Sequence, residues 1–460
     1  MKTKSIILTT LTLVLIYNLI GGNHATAEPV PDLGTRKTGS DWPGFLGPTG
    51  DSKSPEKLEN TDWGKSGLRV VWSKQIGTSY GAPTISKGRL FMFGRHGDNA
   101  RLTCMNSETG DELWRFEYPT DYEDMYGYNN GPRSCPVVDE DRVYIFGAAG
   151  MLHCVNVLDG TLLWAVDTTA RFNVAQNFFG IASAPVVEGD LLVVHIGGSP
   201  PGSPRDILSA RGNLKGNGSG IVAFDKLTGE IVYQTSDELA SYATPVFATI
   251  DGRRWGFIFA RGGLLGFEPQ TGKVDFHYPW RARKLESVNA SNPVVVRDLV
   301  FISETYGPGS SLLKVRPGGY EVVWTDASRR FFQKAMMLHW NTAIHHEGYL
   351  YACSGRHANR SELRCVELQT GEVVWSHRVN ERTSLLYVDG HFITLGEYGS
   401  LMLIRATPEQ FDLVAHVELG QKLIKHPAWA APVLSHGFLY IRGGNRLVCL
   451  DLSASGQSTD

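Results

Sequence analysis

One short pattern recurs along the chain: a turn with a glycine, followed four residues later by a large aromatic residue. The glycine permits a positive backbone φ angle, and the β-branched and aromatic residues after it favour a strand. Repetition of one such unit predicts a repeat protein rather than a domain with a single core. The copies are "SETGDELWRFE" from Ser107, "VLDGTLLWAVD" from Val157, "KLTGEIVYQTS" from Lys226, "PQTGKVDFHYP" from Pro269 and "LQTGEVVWSHR" from Leu368.

Each copy belongs to a larger unit of four short strands, which we call A to D. The glycine turn joins strand C to strand D, and strand A usually opens with a proline. Units recur at intervals of roughly 40 to 70 residues without intervening helical patterns, which predicts an all-β, eight-bladed β-propeller of four-stranded antiparallel blades. The eight A strands are "APTIS" at Ala82, "CPVVD" at Cys135, "APVVE" at Ala184, "TPVFA" at Thr244, "NPVVV" at Asn292, "NTAIH" at Asn341, "TSLLY" at Thr383 and "APVLS" at Ala431.

The eighth unit lacks a D strand of its own, because the chain ends soon after its strand C. The missing strand is predicted at the other end of the propeller, where "SGLRVVWSKQ" (66–75) has the glycine and tryptophan of a D strand without strands A to C before it. The N-terminal strand would then complete the last blade and remove an exposed sheet edge. The predicted organisation is a signal peptide (1–27), an extended N-terminal segment (28–65), the propeller (66–452) and a polar tail (453–460).

The N-terminus predicts export. Lys2 and Lys4 precede an apolar run, and Ala25-Thr26-Ala27 fits a small-residue cleavage site, so we expect cleavage near Ala27 and a periplasmic or secreted protein. No later segment is apolar for long enough to predict a transmembrane span in the mature chain. The net charge of −3 and the lack of a basic run argue against a nucleic-acid partner.

Two stretches carry a family resemblance. "VAFDKLTGEIVY" resembles the tryptophan-docking motif of pyrroloquinoline quinone (PQQ) propellers, and "DWPGFLGPTGDSKSPE" (41–56) is similar to the opening of secreted planctomycete PQQ-like repeat proteins. The resemblance covers nearly all of the mature chain. It implies the propeller fold but not one chemistry, because this scaffold serves dehydrogenases, an outer-membrane assembly factor and other proteins.

Two functions are therefore compared. The first is a non-catalytic binding or scaffold protein of the cell envelope, with an envelope protein or a small molecule as its partner. The second is a PQQ- and calcium-dependent alcohol or sugar dehydrogenase, in which Ca²⁺ would polarise the quinone. The chain has no haem-attachment CxxCH and no adjacent cysteine pair, which such dehydrogenases usually carry, so the first is favoured. The residues assure no cofactor and identify no catalytic group.

The cysteines are predicted to be buried thiols. Cys104, Cys154, Cys365 and Cys449 occupy the same slot of strand C in different blades, too far apart to bond with one another. A disulfide between Cys353 and Cys365, on neighbouring strands of one hairpin, remains open. The run from His345 to Glu347 lies in an A–B turn without the usual ligand spacing, so no metal site is predicted.

Residues just before the A strands, with the B–C loops, are expected to form a funnel at one face of the propeller. They are rich in aromatic, cationic and amide side chains, which suit a planar anionic ligand, a sugar or a peptide. Trp340 and Trp429 are predicted to stack on the ligand, Arg133 and Lys425 to hold an anionic group, and Asn289 to donate hydrogen bonds. The predicted ligand-binding residues are Tyr80, Arg133, Asn177, Tyr242, Asn289, Glu304, Trp340, Lys425, His426 and Trp429.

Overall fold

The repeat units fold into the blades of a propeller. The structure is a computed structural model that describes residues 29–63 and 67–453, so the predicted signal peptide lies outside the described residues. Within those ranges the chain forms eight antiparallel blades, each with strands A to D side by side in that order. Strands A of successive blades adjoin one another around the axis, and strands D expose alternate residues on the outside. The predicted all-β, eight-bladed fold is confirmed.

The strand boundaries agree with the repeat. Helical structure between residues 67 and 453 is limited to Thr168–Phe172, Gly420–Leu423 and the 3₁₀ turns Phe331–Gln333 and Ala358–Arg360, and no helix there is long and apolar enough to span a bilayer. From blade one to blade eight, strands A to D are Thr84–Ser86, Arg89–His96, Asn99–Asn106 and Glu112–Pro119; Val137–Asp139, Arg142–Phe146, Met151–Asn156 and Leu162–Asp167; Val186–Glu188, Leu191–His195, Ile221–Asp225 and Ile231–Thr235; Val246–Ile250, Arg253–Phe259, Gly263–Phe267 and Val274–Pro279; Val294–Val296, Leu299–Glu304, Gly309–Arg316 and Gly319–Thr325; Ile344–His346, Tyr349–Ser354, Glu362–Glu367 and Val373–Arg378; Thr383–Val388, His391–Gly396, Ser400–Arg405 and Leu413–Glu418; Val433–Ser435, Phe438–Gly443, Arg446–Asp451 and Arg69–Gln75.

Blade eight is assembled from both ends of the described chain. Its strand D, Arg69–Gln75, pairs antiparallel with strand C, Arg446–Asp451. Arg69 lies opposite Asp451 at one end of this ladder, and Gln75 lies opposite Arg446 at the other. The predicted closure is therefore confirmed, and it removes an unpaired edge that would favour aggregation.

The recurring motif joins each blade to the next. The indole of Trp114 on strand D of blade one donates a hydrogen bond to the Val157 carbonyl oxygen of blade two at 2.9 Å. Gly160 in the same turn has φ +74°, and a Cβ atom there would lie 2.5 Å from the Trp114 ring. The turn therefore needs both a left-handed backbone and an absent side chain. Equivalent bonds join Trp72 to Ser107, Trp164 to Lys226, Tyr233 to Pro269, Trp324 to Leu368 and Trp375 to Thr407.

Two blades have no indole or phenol at this slot. Blade four has Phe276, which packs against Tyr320 of blade five with ring centroids 5.2 Å apart. Blade seven has Ala415, which is too small to wedge against blade eight. The fully buried Trp63 of the N-terminal segment belongs to the same apolar cluster as Ala415 and Leu450. This segment thus supplies the aromatic bulk that strand D of blade seven lacks.

The described N-terminal segment, residues 29–63, packs against strand A or the A–B turn of blades one, two, seven and eight. Trp42 exchanges two backbone hydrogen bonds with Ile85 of blade one, at 2.8 and 2.9 Å. Lys53–Ser54 forms a parallel strand beside strand A of blade seven. The Glu56 carboxylate accepts hydrogen bonds from two backbone N–H groups in the A–B turn of blade eight, at 2.7 Å each. The N-terminal segment therefore lies on the side of the propeller opposite the funnel face.

All six cysteines are buried and free. Those in the strand C slot lie opposite the docking aromatic of their blade; Cys104, for example, pairs in register with Trp114. Cys353 lies opposite Leu363, and Cys365 lies opposite Tyr351. The disulfide that the sequence left open is therefore absent, because the register of the hairpin separates the two sulfur atoms.

Candidate functional site at the mouth of the axial channel

A cavity of about 340 Å³ lies on the propeller axis at the funnel face. Its walls come from residues at or just before the A strands, as the topology predicts. Its floor is formed by Phe45, Leu46 and Ser52 of the N-terminal segment. The N-terminal segment therefore bounds the cavity on the side opposite the funnel face.

Aromatic rings surround the mouth of the pocket. The Trp429 ring centroid lies 4.8 Å from that of Tyr80 and 5.1 Å from that of Trp340. On the other side, the centroids of Phe179 and Tyr242 are 5.6 Å apart, and the Tyr242 hydroxyl accepts a hydrogen bond from the Phe179 N–H. Such faces favour a flat ligand that can stack against them.

Arginines add positive charge, but most of it is already paired. Arg133 forms an ion pair with the fully buried Asp124 and donates to the Gly131 carbonyl oxygen at 2.8 Å. Arg382 lies 4.4 Å over the Trp340 ring and binds the buried Glu397 carboxylate through two nitrogens, its Nε–Oε1 distance being 2.9 Å. These two guanidinium groups are held in place by their acids, so Arg133 is less free to bind an anion than the sequence suggested.

Arg356 is different. Its guanidinium lies 4.6 Å over the Tyr306 ring and makes no hydrogen bond or ion pair with any residue in the described ranges. It is half-buried at the wall of the pocket. An unpaired, partly desolvated guanidinium can form strong bidentate hydrogen bonds with an anionic group.

Three neighbouring side chains leave buried polar atoms without hydrogen-bond partners. They are Trp340 Nε1, His339 Nδ1 and Asn341 Oδ1, and all three residues line the pocket. Burial and then the nearby Arg382 charge lower the pKa of His339 to about 3, so its imidazole is neutral at physiological pH. Neutral donors and an acceptor thus adjoin the free cation and could satisfy a polar ligand.

The structure brings half of the ten predicted residues together. Tyr80, Arg133, Tyr242, Trp340 and Trp429 line the axial pocket.

The other five lie elsewhere. Asn177 lines a second cavity. Asn289 is buried and donates to the Ala260 carbonyl oxygen at 2.7 Å. Glu304 is 1% exposed and accepts a hydrogen bond from the Tyr306 N–H. Lys425 is exposed, and the exposed His426 stacks on Tyr398 with ring centroids 4.7 Å apart.

Sequence reasoning left several lining residues out of the predicted set. Arg382 and His339 precede strands A, and Arg356 lies in a B–C loop, so their positions in the repeat could have indicated them. The floor residues, such as Phe45, precede the first repeat and carry no periodic signal. Their role depends on the path of the N-terminal segment.

The lining of the axial pocket lacks the acidic groups that a calcium-bound quinone would need, among the described residues. None of the described residues that line it is an aspartate or a glutamate. Calcium prefers carboxylate and carbonyl oxygens, and proton removal from a substrate hydroxyl needs a base. Across residues 29–63 and 67–453, no group of three or more histidine, cysteine or acidic side chains could hold a metal ion. The residues present therefore do not fit a calcium site in this pocket.

Comparisons with solved structures found similar proteins. The crystal structure of BamB from Moraxella catarrhalis is similar, with a TM-score of 0.56 at 12% identity over 85% of this chain and 99% of that one. Quinohemoprotein alcohol dehydrogenase from Comamonas testosteroni has a TM-score of 0.49 at 12% identity, over 91% of this chain and 82% of that one. A search of curated protein sequences found no match.

A sequence model of a protein family also matches the chain. The PQQ_2 model, described as outer membrane protein assembly factor BamB, matches residues 98–377, which is more than half of the chain. The match begins in blade one and ends in strand D of blade six, so it spans the docking turns that join those blades. The chain therefore belongs to the PQQ_2 family of β-propeller proteins.

Proposed function

We propose that this protein is an exported, non-catalytic binding protein of the cell envelope. Its axial pocket holds a ligand with a flat apolar face and an anionic group. The ligand is either a small molecule or an aromatic acidic group presented by an envelope protein. The family description, an outer membrane protein assembly factor, and the predicted signal peptide both support a role in the envelope.

The observation that carries this proposal is the unpaired Arg356 in a pocket walled by aromatic rings and without acidic lining among the described residues. A flat ring stacked on Trp340 or Trp429 would place its anionic substituent toward this guanidinium. Trp429 is held for such stacking, because its indole donates to the Glu397 carboxylate at 2.9 Å. Arg133 and Lys425, the cations predicted from the sequence, contribute less, since Asp124 neutralises the first and the second lies outside the pocket.

The test is calorimetric titration of the purified mature protein with three matched probes. 2-Naphthoate has the flat ring and the charge, 2-naphthalenemethanol lacks the charge, and cyclohexanecarboxylate lacks the aromatic face. Only 2-naphthoate should bind well. Loss of stacking in Trp340→Ala should weaken binding by roughly 2- to 10-fold, and loss of the cation in Arg356→Gln should weaken it by about 10-fold or more.

Arg253→Gln is the matched control. Arg253 also lies over a tryptophan, 4.2 Å from the Trp255 ring, but on a strand outside the pocket. The Arg253→Gln variant should bind 2-naphthoate with the same affinity as the wild type. Equal affinity for the uncharged probe, or unchanged affinity in Arg356→Gln, would refute the proposal.

A parallel titration with PQQ, with and without Ca²⁺, tests the dehydrogenase alternative. The binding of a flat anion that we propose depends on Arg356 and not on calcium. Calcium-dependent binding of PQQ, together with dye reduction in the presence of an alcohol or a sugar, would favour the dehydrogenase instead.

A further inference from the structure

A second cavity, of about 480 Å³, lies off the axis between blades two, three and four. Among the described residues, none lines both this cavity and the axial pocket. Its inner wall contains the side chains of His195, 1% exposed, and Arg261, 3% exposed. Two ionisable groups buried this deeply at one cavity need a physical explanation.

Arg261 is poorly satisfied by the protein. One terminal nitrogen donates to the Leu285 carbonyl oxygen at 2.8 Å, the other lies 3.4 Å from Asn177 Oδ1, and Nε has no partner. Arg281 also donates to the Leu285 carbonyl oxygen, at 3.2 Å, so two like charges converge on one acceptor. Among the described residues, no carboxylate forms an ion pair with either arginine.

Glu238 is an acid whose charge acts on both Arg261 and Arg281, but its carboxylate already has other partners. Glu238 accepts from the Gly262 N–H at 2.7 Å and lies 2.9 Å from His277 Nε2. Burial, then the charge of Arg281, lower the pKa of Arg261 to about 10, which still leaves its guanidinium charged at physiological pH. The cationic charge at this wall therefore remains without a bound counter-ion from the protein.

Arg442 shows how this fold satisfies a buried arginine that has only a structural role. It is also 3% exposed, and no carboxylate in the described part of the chain forms an ion pair with it. Its guanidinium donates to the carbonyl oxygens of Gly77 at 2.8 Å and of Gly81 and Gly444 at 3.4 Å each. Arg261 has one such carbonyl and faces a cavity instead.

His195 adds polar atoms without adding charge. Neither ring nitrogen has a hydrogen-bond partner within the described structure. Burial lowers the pKa of His195 to about 4, so the neutral imidazole offers one donor and one acceptor. Asp121 and Glu123 also line the cavity, at exposed positions, and their charges disfavour a multiply charged anion.

We propose that this second cavity binds a small oxyanion, a carboxylate or a phosphate group, through Arg261 with help from Asn177 and His195. A bound oxyanion would neutralise the buried guanidinium and accept the hydrogen bonds that the protein leaves unmade. The ligand is held apart from the axial pocket, so this site does not depend on the function proposed above. The exposed acids Asp121 and Glu123 favour a singly charged ligand over a multiply charged one. Acetate should therefore bind more tightly than phosphate.

The experiment measures thermal unfolding of the full mature chain in sodium acetate, sodium phosphate and sodium chloride at equal ionic strength. Acetate, and more weakly phosphate, should raise the melting temperature in a saturable way relative to chloride. Arg261→Met should abolish this rise, and calorimetric titration with acetate should agree. In chloride, Arg261→Met should melt no lower than the wild type, because the substitution removes a buried charge that the protein does not neutralise.

Arg442→Met is the matched control, which should melt lower than the wild type yet keep the full response to acetate. His195→Leu removes a neutral ring and no charge, and it should weaken the response, which keeps the test valid if Arg261→Met fails to fold. No saturable effect on the wild type, or an acetate response that survives both Arg261→Met and His195→Leu, overturns the proposal. Titration of the same variants with 2-naphthoate separates this outcome from a failure of the axial site.

Discussion

The indole N–H of Trp72 donates to the carbonyl oxygen of Ser107 at 3.1 Å. Trp72 belongs to the N-terminal strand of blade eight, and Ser107 belongs to the C–D turn of blade one. One side chain thus completes a blade and docks that blade on the next. The start of the propeller therefore has two structural roles, both of which can be tested by substitution.

Trp72→Ala should destabilise the protein strongly. Trp72 is 7% exposed and packs against Tyr440 with ring centroids 6.0 Å apart, so truncation leaves a cavity that costs about 3–5 kcal/mol. Trp72→Phe keeps a ring but loses the hydrogen bond and should cost less. Val70→Ala, on the same strand and 43% exposed, should change the midpoint of thermal unfolding little. If Trp72→Ala melts like Val70→Ala, the role assigned to this strand is wrong.

The six cysteines should resist alkylation in the native protein. All are buried, and burial raises the pKa of Cys104 and of Cys135 to about 12, so reactive thiolate is scarce. Mass spectrometry after alkylation in denaturant, without reductant, should count six modified thiols. Four modified thiols would indicate the disulfide between Cys353 and Cys365 that the structure lacks.

Asp451→Asn should reduce stability at neutral pH. Burial alone would raise the pKa of Asp451, but hydrogen bonds from Arg36, at 2.7 Å, and Arg69 outweigh it and lower the pKa well below its ordinary value. The carboxylate therefore stabilises the fold above its unfolded-state pKa of about 4, and this contribution is lost as the pH falls toward the folded-state value. We expect a loss of about 2 kcal/mol at pH 7.

The pH dependence of this loss is the control. The difference between wild type and Asp451→Asn should shrink steadily below pH 4, as measured by thermal unfolding. Asp111→Asn, which removes an exposed partner of Lys74, should have little effect at any pH. A difference that stays constant down to pH 2 would contradict the ion-pair explanation.

Glu304→Gln should have the opposite effect. Glu304 is 1% exposed, and burial raises its pKa to about 7 despite a hydrogen bond from the Tyr306 N–H. Between the unfolded-state pKa of about 4.3 and pH 7, the unfolded chain ionises first, so the wild type loses stability as the pH rises. The variant should therefore melt higher than the wild type at pH 8 and equally at pH 4. Glu347→Gln, which changes an exposed carboxylate, should melt like the wild type at both pH values.

The sequence predicts the blades well because every blade repeats the same local requirements. In most blades the C–D turn has a glycine, and strand D has an aromatic residue four positions later. The aromatic residue of one blade packs on the turn glycine of the next, as Trp114 does on Gly160. The position of the funnel follows from the same topology. Because the units repeat, the local pattern of one blade is enough to predict the others and the contacts between them.

Pairing between side chains is not periodic and was less predictable. Nothing local indicates that Asp124 neutralises Arg133 while Arg356 stays unpaired. Asn289 has a polar side chain on the correct connection, yet it is used to bind the Ala260 carbonyl oxygen inside the protein. Such contacts depend on the three-dimensional packing of several connections, each with its own sequence.

The register of blade eight also determines how the ring resists mechanical force. Arg69 and Asp451 lie opposite each other, so the two strands leave this ladder at the same end. Tension between Gly67 and Ser453 would peel the ladder one hydrogen bond at a time, whereas strands that left from opposite ends would be loaded together. The ion pairs of Asp451 with Arg36 and Arg69 strengthen the first rung. We therefore expect Asp451→Asn to lower the force at which the ring begins to open.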